Sequence, residues 1–306
     1  MLNGRHPRTK GCAQFIGELE SLYQRGWRGG VFIVDDNFIG NKVKLKTELL
    51  PALIDWSETR GFPFEFNTEA SINIADDEEL VRLMFGAGFR SIFVGIETPN
   101  EDSLAECGKL QNRGRDLVSS VEVLQRNGLR VAAGFIIGFD SDTPGIFQRQ
   151  IDFIQKSGIV SAMVGLLNAP RGTALFQRMK SENRLVGGPT CDNMDGSTNL
   201  IPKMGYQQLI KGYKEVLETI YDPKVYYERI KTLLEQYPAG ISIKRIRMVD
   251  VKAFLRSLWQ LGLIEKGRRY YWKLLFLSTF KYPGKLSLAM TMAVYGSHFR
   301  RIVAMV

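Results

Sequence analysis

Between residues 12 and 185 one pattern recurs five times. A helical stretch closes on glycine, a large apolar residue follows, and an apolar run ends on a polar side chain. The instances are LYQRGWRGGVFIVDD, WSETRGFPFEFNTEA, LMFGAGFRSIFVGIE, LQRNGLRVAAGFIIGFD and IQKSGIVSAMVGLLN. Their hinges are Gly26, Gly61, Gly88, Gly128 and Gly158, spaced 35, 27, 40 and 30 residues apart. Glycine suits a helix end because the closing residue often takes a positive φ. Start signals precede some of the helices: Asp76 with Glu79 three residues on resembles a capping box, and Thr143 stands before Pro144. The apolar runs VFIV, SIFVGI, VAAGFII and SAMVGLL read as strands buried on both faces, as in a parallel sheet covered by helices. Alternating helix and strand at this period predicts an α/β fold of right-handed βα units, with strands near 31–35, 64–69, 91–97, 130–137 and 160–167.

The first unit has its helix, CAQFIGELESLYQRG, but no strand before it, only the basic stretch GRHPRTKG. A βα architecture normally opens on a strand. The expectation is a partial barrel of parallel strands lacking its first strand. After about residue 200 the repeat stops, and MGYQQLIKGYKEVLETIYD, PKVYYERIKTLLEQY, SIKRIRMVDVKAFLRSLWQLG, GRRYYWKLLFLSTF and KLSLAMTMAVYGSHFRRI read as helices. Residues 1–200 and 201–306 are thus expected to form a barrel and a smaller, mainly α-helical domain. Charge divides the chain similarly. Residues 203–306 hold 19 Lys or Arg against 7 Asp or Glu, whereas residues 1–202 carry a small acidic excess.

With 44% hydrophobic and 24% charged residues the chain has the composition of a packed protein, not of a disordered one. Its three cysteines, Cys12, Cys107 and Cys191, share no short spacing, which argues against a zinc site and a disulfide framework and suggests a reducing, cytoplasmic compartment. No apolar run reaches the ~18 residues of a membrane span, and the first residues have no apolar signal segment.

Ligand chemistry in parallel α/β folds gathers where strands end. Here those ends carry Asp35, Asp36 and Asn37, then Glu69 and Ser71, Glu97, Asp140 and Asn168. Helix caps and turns are the competing explanation. Neighbouring strand residues face opposite ways, so only one of Asp35 and Asp36 can point inward; Asp36 is the expected one. Asp140 is expected to cap the next helix. Gly134, Ile136 and Gly138 lie in GFIIGF, whose glycines would let a flat ligand approach the backbone. His6 and His298, the only histidines, are too far apart in sequence to suggest a shared metal site.

The stretches GRHPRTK, VFIVDDNFIGNK, EFNTEASINIADDEEL, FVGIETPNEDSL, GFIIGFDSDTP and GLLNAPRGT, in this order, resemble the radical S-adenosylmethionine (SAM) superfamily and, within it, the cobalamin-binding subgroup. The resemblance covers residues 4–185 and continues more weakly to the end. It implies a partial barrel of six βα units, SAM as cofactor, and a [4Fe-4S] cluster on a C-x3-C-x2-C loop after the first strand. That loop has no counterpart here, so cluster and cobalamin are expected in full-length relatives and not on this chain. Carried over, Asp35, Asp36 and Asn37 would meet the SAM amino group. Glu69 and Ser71 would reach its ribose or carboxylate, and Glu97 the ribose. Gly134, Ile136 and Gly138 would back the adenine, and Asn168 would close its far side.

The implied activity is radical chemistry, such as methylation or ring rearrangement, on an apolar or lipid-like small molecule, with this isolated chain inactive for want of a cluster. One alternative is a metal-dependent barrel lyase or aldolase with Asp36, Glu69 and Glu97 as oxygen ligands, although no strand end offers Lys or His. Another is a non-catalytic binding module. In the C-terminal part the stripe Met290, Met292 and Val294 and the aromatics Tyr270, Trp272 and Phe276 are expected in the core. The basic, aromatic-rich residues 251–306 also suggest peripheral contact with an anionic membrane. That reading is preferred to nucleic acid, although LWQLGLIEKGRRYYW resembles a helix followed by a basic wing.

Overall fold

The computed structural model describes residues 10–188, 196–238 and 248–305. His6, Cys191 and residues 4–9 of GRHPRTK lie outside the described residues. Five strands, β1 (Gly30–Ile33), β2 (Glu65–Glu69), β3 (Phe89–Glu97), β4 (Arg130–Ile137) and β5 (Ser161–Leu166), form one parallel sheet in chain order. Among the described residues β1 and β5 are its edges. Helices α1 (Cys12–Gln24), α2 (Leu50–Thr59), α3 (Glu78–Ala87), α4 (Glu101–Glu106), α5 (Leu117–Arg126), α6 (Ile146–Ser157) and α7 (Ala174–Ser181) run before, between and after the strands. Among the described residues the sheet thus has one strand fewer than the six that the resemblance implies. A groove of about 470 Å³ opens beside β1, between α1 and residues 38–49.

All five hinge glycines have a positive φ, between 64° and 106°. At Gly88 the demand is double: it closes α3 at φ 106°, and a Cβ would sit 3.3 Å from the Phe66 ring. The start signals are placed less accurately by the sequence. A 3-10 turn over Ile72–Asp76 shifts the cap of α3 to Asp77, which accepts from the Leu80 N–H at 3.1 Å. Asp76 instead pairs with Arg115 at 2.5 Å. Before α6, Thr143 offers the Ile146 N–H only its backbone oxygen.

The sheet is not buried on both faces. Along β2, β3 and β4 nearly every second residue is buried, and those between are partly exposed. Phe66, Val94, Val131 and Val164 face the helices. Glu65, Asn67, Glu69, Ser91, Phe93, Gly95, Arg130, Ala132, Gly134 and Ile136 share the other, concave face, which water reaches. A near-continuous apolar run hid this, because Gly, Ala and Phe occupy inward positions that the alternation would have marked with polar residues.

Beyond residue 200 come α8 (Tyr206–Tyr221), α9 (Pro223–Gln236), α10 (Met248–Trp259), α11 (Arg268–Phe280) and α12 (Leu286–Val303). Helix α8 lies against β5: the Tyr213 hydroxyl donates to the Val164 carbonyl at 3.3 Å and the Tyr221 hydroxyl to that of Ala162 at 2.6 Å. One apolar core runs through both parts of the chain. Met290 and Met292 are in it, as expected, and Tyr270 and Trp272 are half-buried, whereas Val294 and Phe276 are exposed. The segment LWQLGLIEKGRRYYW forms the end of α10, a π turn over Gln260–Ile264 and the start of α11, so it contains no wing.

Candidate functional site

The carboxyl ends of β1 and β2 are tied by their loops. Asn37 donates its backbone N–H to the Asp35 carboxylate at 3.2 Å, and its amide oxygen accepts from the Ser71 backbone N–H at 3.1 Å. The Ser71 hydroxyl donates to Asn73 at 2.6 Å. These contacts make Asn37 and Ser71 a clamp between loops. Glu69 ends β2 on the concave face. Partial burial and the nearby Asp36 charge push its carboxyl above the usual range. Asp36 thus lies near enough to Glu69 for its charge to act on that carboxyl.

Across the sheet Glu69 lies opposite Phe93, and two residues farther along β3 Gly95 lies opposite Gly134 of β4. Met163 of β5 faces Gly134 in turn. Two adjoining glycines leave a strip of backbone with no side chains of its own on the concave face. A Cβ at Gly134 would meet the Phe93 ring at 3.1 Å. One at Gly95 would lie 2.6 Å from Glu97 Oε1 and 2.8 Å from Lys109 Nζ, so Glu97 and Lys109, paired at 2.8 Å, overhang the strip. Glu97 takes φ 67°, a left-handed conformation that costs a non-glycine residue about 1–2 kcal/mol. The register of β3 against β4 shifts there, and Asn112 stabilises the bend by donating to the Gly95 and Ile96 carbonyls, each at 3.1 Å.

Ile136 stands farther up β4 and packs against the small cluster of Phe139, Leu167 and Met179. Gly138 has φ 109°, and its N–H and that of Phe139 donate to Asp142 at 2.9 and 3.1 Å. Asn168 is engaged with the segment beyond α7: it donates to the Ser197 carbonyl at 3.1 Å and accepts from the Asn199 N–H at 3.0 Å. The structure thus brings together Asp36, Glu69, Gly95, Glu97 and Gly134, while Asn37, Ser71, Gly138 and Asn168 fix the loops around them.

Asp140 does not cap a helix. It binds Arg184 at 2.5 Å, with Arg178 and Lys203 nearby, and the Arg184 guanidinium holds its carboxyl below the usual carboxylate range. A depressed acid stabilises the fold above its unfolded pKa, and that stability is lost as pH falls through the folded value. Asp140→Asn should therefore cost about 1–3 kcal/mol at neutral pH, and melting curves should show the cost fading below about pH 4.

The sequence did not single out Asn67, Ser91, Lys109 or Asn112. Asn67 accepts from the Ser91 hydroxyl at 2.5 Å below the glycine strip. Both line, with Glu65, Arg130, Ser161 and Tyr295, a second cavity of about 320 Å³ at the amino ends of the strands. The alternation Glu65, Asn67, Glu69 was the available signal for Asn67. Lys109 and Asn112 lie in a loop, and no local pattern announced them.

Residues 173–306 match a family described as a domain of unknown function, DUF4070. The chain is 38% identical over 304 residues to an uncharacterized methyltransferase of Synechocystis sp., covering 98% of this chain and 56% of that protein. It is 33% identical over 285 residues to the hopanoid C-2 methylase of Rhodopseudomonas palustris, covering 89% and 52%. The solved structure of the radical SAM methyltransferase TsrM from Kitasatospora setae, with cobalamin and a [4Fe-4S] cluster bound, aligns at a TM-score of 0.53 and 14% identity, over 95% of this chain and 56% of that one. The chain is thus similar to bacterial methyltransferases and shares its fold with a radical SAM methyltransferase. It spans about half the length of the curated relatives it matches.

The described cysteines do not fit an iron–sulfur cluster. A cluster needs thiolates sharing a local loop. Cys12 sits on α1 and Cys107 just after α4, where burial pushes its thiol up. No group of three or more His, Cys, Asp or Glu able to hold a metal occurs among the described residues. Asp36, Glu69 and Glu97, the oxygen ligands of the lyase alternative, do not form such a group. The same face offers the Glu69 carboxyl and the facing glycines Gly95 and Gly134.

Proposed function

We propose that this is a radical SAM chain and that its concave face binds SAM, with the adenosine over Gly95 and Gly134 and the ammonium against Asp36 and Glu69. In this reading the chain forms part of a methyltransferase acting on an apolar, lipid-like small molecule. SAM supplies a methyl group or a deoxyadenosyl radical. The glycine pair carries the assignment: water reaches it in part, Phe93 and Met163 flank it, and the Glu97 and Lys109 side chains that overhang it would turn outward to admit the adenosine. Glu97, paired with Lys109 at 2.8 Å, would accept from ribose hydroxyls. Asn37, Ser71 and Asn168 would hold the rim and Ile136 the far wall. Cluster thiolates and any cobalamin would come from other polypeptide. The Synechocystis methyltransferase and the hopanoid methylase support the reaction class, and the hopanoid methylase the apolar substrate. The division at about residue 200 into barrel and basic helical domain belongs to the same reading, with α8 as the joint, as does a cytoplasmic location.

Equilibrium dialysis with radiolabelled SAM tests the assignment. The native chain should bind, and Gly134→Leu, which fills the strip, should weaken binding at least about tenfold with an unchanged circular dichroism spectrum. Equal retention by both proteins would remove the strip from the site.

A further inference from the structure

The C-terminal helices expose more apolar surface than folding explains. Met248, Val251, Leu255, Trp259 and Leu263 are all exposed, at spacings of three and four residues that put them on one side of α10 and of the turn after it. Trp259 is 65% exposed and Phe280, on α11, 80%. The two helices join edge to edge: Trp272 donates its indole N–H to the Gly262 carbonyl at 2.9 Å and packs against that glycine. From Trp272 the rings of Phe276 and Phe280 follow at 6.1 and 6.5 Å, the last pair stacked. Single exposed apolar side chains need no explanation, but a continuous stripe marks a contact surface.

Its charge indicates what the surface meets. Between residues 248 and 281 seven Lys or Arg side chains, from Lys252 to Lys281, are exposed, and the acids are Asp250 and Glu265. Glu265 is engaged by Arg300 at 2.6 Å. Lys252 and Arg256 flank the α10 stripe, and Arg269 and Lys273 flank the aromatics of α11. Apolar and aromatic side chains bordered by cations match the boundary between acyl chains and anionic headgroups. No helix among the described residues is long and apolar enough to cross a membrane, so contact of this kind is lateral.

We infer that α10, the π turn and α11 form a surface that seats on an anionic phospholipid bilayer. Trp259, Phe276 and Phe280 enter the interface, and Lys252, Arg256, Arg269 and Lys273 meet headgroup phosphates. The inference stands on these residues alone and holds whether or not the concave face binds SAM.

Co-sedimentation with vesicles tests it, comparing phosphatidylcholine alone with phosphatidylcholine mixed with phosphatidylglycerol at moderate salt. The chain should bind the mixed vesicles at least about tenfold more tightly. Trp259→Glu with Phe280→Glu should weaken that binding about tenfold or more, with melting temperature unchanged because both side chains are exposed. Arg269→Glu with Lys273→Glu should abolish the preference for anionic lipid. Indifference to phosphatidylglycerol, absence of binding, or full binding by either variant would overturn the inference. So would sedimentation velocity showing that the apolar variant dissolves a dimer while vesicle binding persists.

Discussion

Asp36→Asn combined with Glu69→Gln should weaken SAM binding about a hundredfold or more, while affinity for 5′-methylthioadenosine, which lacks the amino acid portion, should hardly change. A hydrogen bond to a charged partner contributes about 1.5–3 kcal/mol, so removing two gives at least that loss. The methylthioadenosine control separates loss of the ammonium partner from damage to the adenosine strip. A pH dependence should accompany it. Glu69 titrates above the usual carboxylate range because of burial and Asp36. A cation binds the ionised pair best, so SAM affinity should rise as pH increases through that elevated value, and the double variant should lose the rise. Isothermal titration at several pH values reads both effects. An equal loss for both ligands would instead place the carboxylates in a structural role.

Tyr226→Ala should be the most damaging single truncation for stability, costing about 3–5 kcal/mol. Tyr226 is fully buried where α9 meets α12, and its hydroxyl donates to the Met292 carbonyl at 2.7 Å. Gly296 exists to admit it: a Cβ there would lie 2.2 Å from the ring. The ring also shields Arg229, whose guanidinium carbon lies 5.1 Å from the ring centre and whose side chain is wholly buried. Among the described residues that guanidinium donates only to Gln155, at 3.4 Å, and its Nε and Nη2 have no hydrogen-bond partner. Removing Tyr226 thus opens a cavity beside a buried cation, and burying a charge without a partner is costly. Thermal melting should fall by roughly 10 °C, given about 2–4 °C per kcal/mol for large domains. A fall of only a degree or two would mean that α9 and α12 are not packed as described.

The sheet was legible because its punctuation is chemical. Gly26, Gly61, Gly88, Gly128 and Gly158 sit where the backbone must turn left-handed, and that requirement is written in the residue itself. Strand positions followed from them within a residue or two. The site was less legible, because its floor is defined by what is missing: Gly95 and Gly134 matter for a side chain they lack, and only pairing across β3 and β4 places them together. Glu97 was found, but its partner Lys109 and the bracing Asn112 arrive from a loop whose path depends on tertiary packing. Asp77 replaced Asp76 as a cap because a 3-10 turn, invisible to a spacing rule, moved the helix start by one residue. Asp140, expected to cap, is drawn to Arg184, 44 residues away.

Photolabelling with 8-azido-SAM, followed by peptide mapping, tests the central claim most directly. If the adenosine lies over the glycine strip, label should appear on peptides from β3 and β4, and unlabelled SAM should suppress it. Competed label concentrated on α1, beside the groove at β1, or on the C-terminal helices would contradict the assignment.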